Sequence, residues 1–126
     1  MAEKFEAMVK LGELNSRMKD FHDLWFLARN VHFDGALLLQ AVAATFSRRG
    51  TPPQLHPVAM TAQFAHREDK QRQWAAFLHR GRPSGMPDEL AQIIAEIAAF
   101  LLPVAEALGA GKPFGAIWTP PGPWQQ

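Results

Sequence analysis

The chain has 126 residues, of which 48% are hydrophobic and 20% charged. That length and apolar content suit one packed domain and exclude a disordered chain. The net charge of +1 gives no global electrostatic case for nucleic acid, and the lack of cysteine excludes disulfides and thiolate zinc sites and points to a reducing, cytoplasmic setting.

The first predicted element is a helix from Ala2 to about Leu14, with Phe5, Met8, Val9 and Gly12 at helical spacing. Its opening decapeptide is charged and amphipathic, unlike a signal peptide. The chain thus begins directly inside a helix and reads as a cut from a longer chain. Asn15 and Ser16 are turn or N-cap residues. A second helix is expected from about Arg17 to Asn30, with Met18, Phe21, Leu24, Trp25 and Ala28 as its apolar stripe. Asp34 is placed to cap a third helix carrying Leu38, Ala41, Val42, Thr45 and Phe46, stopped at Gly50. Thr51-Pro52-Pro53 cannot continue it. Pro57 suits the first position of a short helix through Phe64, and a longer helix holding Gln71, Trp74, Phe77 and Leu78 follows.

Gly81 to Gly85 reads as a loop. Pro87, Asp88 and Glu89 form a helix start with negative charge at the positive end of the dipole. That last helix carries Ile93, Ile94, Ile97, Phe100, Leu101, Val104 and Leu108; Pro103 should kink or split it, and Gly109 and Gly111 should end it. Glu96, Pro103 and Glu106 make the stretch too polar to span a bilayer. No run alternates as a strand does. The expected fold is all-α: one domain over 1–126, a compact bundle of about five to six helices. Its Pro/Trp-rich tail should be extended and pinned by Phe114, Trp118 and Trp124.

The tightest polar cluster is Arg17, Lys19, Asp20 and Asp23. Asp20 and Asp23 are three apart and share a helix face, away from Phe21, Leu24 and Trp25. Two such carboxylates can hold a divalent cation or orient a base, but such a pair is more often a solvated helix face. Lys4, on the preceding helix, is either a phosphate-binding cation facing those acids or a surface salt-bridge partner. The most charged segment runs from His66 to Arg72, with Arg80 and Arg82 beyond. Arg67, Lys70, Arg72 and Arg80 are candidate RNA contacts, although Glu68 and Asp69 dilute their field. The five histidines have no zinc spacing, so no metal ligand is assigned. No glycine-rich phosphate loop is present.

The run Asn15-Ser16-Arg17-Met18-Lys19-Asp20-Phe21-His22-Asp23-Leu24-Trp25 resembles the RD-x-YDL signature of the AbiEii/AbiGii nucleotidyltransferase toxins of type IV toxin–antitoxin and abortive-infection systems. Ala2-Glu3-Lys4 is similar to that family's AEK segment. Phe33-Asp34-Gly35, Thr45-Phe46, Arg48-Arg49-Gly50-Thr51-Pro52, Lys70 to Leu78 and the Phe114 to Trp124 tail follow in matching order. The likeness is to the family's C-terminal half. Its GG-T-A-L turn and its R-x-S/T-x-D-x-D metal-binding strand do not occur here, and His22 replaces the usual tyrosine.

The resemblance implies that Lys4 is the family's conserved lysine and that Asp20 or Asp23 is its conserved acid. It implies magnesium and a nucleoside triphosphate as cofactors of the intact protein, with none held by this chain alone. The expected function is the helical part of a nucleotidyltransferase-like toxin, inactive without its catalytic core. The implied partners are that core, an antitoxin and an RNA acceptor, with no membrane. The alternative is a stand-alone binding or self-association module without catalysis.

Overall fold

Apolar residues at helical spacing fold this chain into six α-helices among the described residues, which are 1–81 and 85–126 of a computed structural model. Helix α1 spans Ala2–Leu11 and buries Phe5, Met8 and Val9. It is shorter than the expected segment because the chain tightens into a 3-10 turn over Gly12–Leu14. Helix α2, Met18–Asn30, buries all five residues of its stripe. Helix α3, Gly35–Arg49, begins at Asp34, whose carboxylate accepts from the amides of Ala36 and Leu37. It stops at Gly50, which adopts φ 67°. Leu38, Val42, Thr45 and Phe46 are buried, while Ala41 faces solvent.

Pro57 precedes a 3-10 turn over Val58–Met60, and α4, Ala62–His66, starts only at the Thr61 cap. Helix α5 is Glu68–Arg80 and α6 is Leu90–Ala110. The expected 81–85 loop lies partly outside the described residues, as does Arg82. Pro103 sits inside an unbroken α6, and Gly109 is helical, so the helix ends at Gly111 alone. Phe100, Leu101 and Val104 are wholly buried around Pro103, and that packing outweighs the loss of one backbone hydrogen bond. By length and composition α6 suffices to cross a membrane, contrary to the expectation from its charges. In this fold, however, it is the central core helix, packed against α2, α3 and α4.

The chain also forms strands where none were expected. β1 is Phe33–Asp34, β2 is Ile117–Trp118 and β3 is Trp124–Gln125, in one antiparallel sheet of order β1-β2-β3. Two residues each are too few to show alternation in a sequence. The pairing of Phe33 with Trp118, and of Trp118 with Trp124, fastens the tail. Trp118 donates its indole N–H to the Ala28 carbonyl at 2.8 Å, and Trp124 donates to Phe100 at 2.7 Å. Pinning of the tail by aromatics is thus what the structure shows.

Candidate functional site

Asp20 and Asp23 occupy the first two turns of α2 and project on the side opposite its buried stripe. Lys4 reaches them from α1. Its ammonium donates to Asp20 Oδ1 at 3.1 Å and lies 3.0 Å from Asp23 Oδ2. Helices lying side by side about Asn15 would carry Lys4 to the far end of α2. Instead α1 packs more along α3 than along α2, and Lys4 stands on both acids.

Asp23 is the focus of the cluster. It also accepts from Lys19 at 3.0 Å, and His22 Nδ1 lies 3.0 Å away. Burial pushes its carboxyl upward, but hydrogen bonds from Lys19, Lys4 and His22 prevail and hold its pKa at about 2. The hydrogen bonds to Asp23 and Asp20 raise the Lys4 pKa above its ordinary value. Lys4 is therefore a fixed cation and its partner Asp23 a fixed anion across the neutral range. The lysine side chain is 36% exposed, and the two acids are 16% and 21% exposed. An ammonium has three N–H donors, so two carboxylates leave one directed to an incoming ligand.

A cleft of about 760 Å³ opens beside this cluster. Lys4, Arg17, Lys19, Arg49 and Arg80 line it, against Glu3 and Asp20, and the Phe77 ring forms part of the wall. The cations exceed the acids, so the cleft suits an anion. Arg80, a candidate RNA contact, lines this cleft together with Lys4. Sequence reasoning missed Arg49 as a site residue, together with Glu6, which binds it, and Thr51, which donates to the same carboxylate. The signal was a glutamate directly beside Phe5 and within the arc of Val9, on a face that must be buried.

The four candidate RNA contacts do not form one face. Arg67 is paired with Asp69 at 3.1 Å and approaches Glu13 at 3.6 Å. Arg72 lies 3.9 Å from Glu68. Lys70 is buried at 2% exposure, donates to the Asn15 carbonyl at 2.9 Å and stands over the Phe64 ring. Burial pushes its pKa down. Its periodicity on α5 faces the core, so it is unavailable to a phosphate at the surface. Among the described residues, no three His, Cys, Asp or Glu side chains come together as a metal set. Asp20 and Asp23 by themselves fit a magnesium ion poorly, because the Lys4 ammonium already bridges them.

No curated protein and no solved structure matches this chain. The profile of a family described as nucleotidyl transferase AbiEii toxin, type IV TA system, matches residues 1–100, which takes in the whole Lys4 cleft and leaves the tail outside. With four-fifths of its length matched, including Lys4, Asp20 and Asp23, the chain belongs to the AbiEii nucleotidyl transferase toxin family.

Proposed function

We propose that this chain supplies the lysine-and-acid face of a nucleotidyl-transfer site. The observation that carries this reading is Lys4 bridging Asp20 and Asp23 at the wall of a cation-rich cleft. In the reaction a hydroxyl of an RNA or protein acceptor attacks the α-phosphorus of a nucleoside triphosphate, and pyrophosphate leaves. Lys4 contacts the phosphate oxygens with its third donor and offsets their charge. Asp20 or Asp23 accepts a hydrogen bond from the acceptor hydroxyl, or holds Lys4 in place. Arg80 extends the positive wall toward the acceptor.

Magnesium, when bound in such an enzyme, neutralises the triphosphate and holds the leaving group. The carboxylates for it have to come from outside the set described above, so the chain alone is a poor catalyst. An antitoxin is the expected antagonist of a type IV toxin.

The test is transfer of label from α-³²P nucleoside triphosphates to tRNA or protein in magnesium. The chain alone should give none. With a metal-binding family core added, transfer should appear and be lost in Lys4→Ala. Transfer that survives Lys4→Ala removes Lys4 from the reaction.

A further inference from the structure

Glu6 is an acid placed where an apolar residue would serve packing. It is 2% exposed, between Phe5 and the α1–α3 contact. Both of its oxygens are occupied. Oε1 accepts from Arg49 Nη1 at 2.9 Å, and Oε2 accepts from Thr51 Oγ1 at 2.5 Å. The left-handed turn at Gly50 closes α3 and returns Thr51 to the same carboxylate that Arg49 grips. Burial favours the neutral acid, but the hydrogen bonds from Thr51 and Arg49 outweigh it and lower the Glu6 pKa.

A buried ion pair is weak evidence for stability, because desolvation offsets most of its attraction. An apolar residue at position 6 would hold α1 on α3 equally well. What the carboxylate adds is direction. Arg49 is 42% exposed and lines the Lys4 cleft, and Glu6 engages Nη1 alone. The other guanidinium donors remain for a ligand. Fixing a long side chain in advance also lowers the entropy lost when an anion binds.

Resting on the nucleotidyl-transfer reading above, we infer that Glu6 is a positioning residue: it holds the Arg49 guanidinium on the cleft wall as a second contact, beside Lys4, for the oligophosphate of a nucleoside triphosphate. Charge alone and positioning make opposite forecasts for Glu6→Gln. Removing an acid makes the cleft more positive, so charge alone tightens anion binding. Positioning weakens it.

Inorganic tripolyphosphate, titrated calorimetrically into the full chain, is the probe. Arg49→Ala should weaken binding on the order of tenfold, the loss expected for one charge-assisted hydrogen bond. Arg49→Lys should restore part of it. Glu6→Gln should weaken binding, and Glu6→Gln with Arg49→Ala should be no weaker than Arg49→Ala alone. Glu6→Gln binding as tightly as the native chain, or tighter, overturns the inference. A second measurement needs no variant: the Arg49 Nε–Hε resonance should shift on adding tripolyphosphate, and an unmoved signal overturns the inference. Lys4→Ala separates the two readings. If it binds like the native chain, the nucleotidyl-transfer reading falls; if only the Arg49 and Glu6 arms are unchanged, the positioning role alone falls. No binding by the native chain overturns both.

Discussion

Asp23 gathers Lys4, Lys19 and His22 around one carboxylate, and that makes it a pH-dependent element. Its folded pKa of about 2 lies below the ordinary value of 3.8. Its stabilising contribution is therefore full above about pH 4 and is lost as pH falls toward 2. Urea unfolding of the native chain and Asp23→Asn should show a stability gap at pH 5 that shrinks markedly at pH 2.5. A gap independent of pH contradicts the ion-pair geometry. Lys70 and Arg80 supply a contrast on one helix. Lys70→Met should leave tripolyphosphate affinity unchanged, because the native ammonium is buried against Asn15. Arg80→Ala should weaken it, because Arg80 lines the cleft. Calorimetric titration of both variants checks the pair, and a loss at Lys70 alone reverses the assignment.

At the scale of elements, helices with a regular stripe and the aromatic pinning of the tail were legible, and the strand pairing of the tail was not. Every stripe residue assigned to α2 is buried, because one helix packed on one core obeys a single period. Ala41 departs from this on α3, where the core face is narrower than the run of small apolar residues. The β1–β2 pairing depends on contacts between residues far apart in the chain, such as Phe33 with Trp118, and no local pattern announces them. One glycine records that contact. A Cβ on Gly35 would stand 2.5 Å from the Ala116 carbonyl and 2.8 Å from the Phe114 ring. Gly35→Ala should therefore destabilise the fold by about 1–3 kcal/mol, the usual cost of overpacking against backbone. Denaturant unfolding measures this, and a neutral result means that the tail does not approach α3 so closely.

At the scale of the whole molecule, the site is assembled from four helices, α1, α2, α3 and α5, that the sequence leaves unplaced relative to one another. Asp20 and Asp23 could be put on one face from spacing alone. Whether Lys4 reached them depended on the direction in which α1 leaves the 3-10 turn, which periodicity does not encode. The Glu6–Arg49 contact spans 43 positions and joins two charges that composition reads as ordinary surface residues. Arg80 was visible only as part of a charged segment; the packing of α5 against α2 sets it in the same cleft as Lys4. The claim that unites these residues is that the cleft holds the phosphates of a nucleotide. Its most direct measurement is the affinity of the native chain and of Lys4→Ala for nucleoside triphosphates in magnesium-free buffer. Binding by the native chain that falls on the order of tenfold in Lys4→Ala, with both proteins equally folded, is the expected result. Equal affinity of the two would contradict the account.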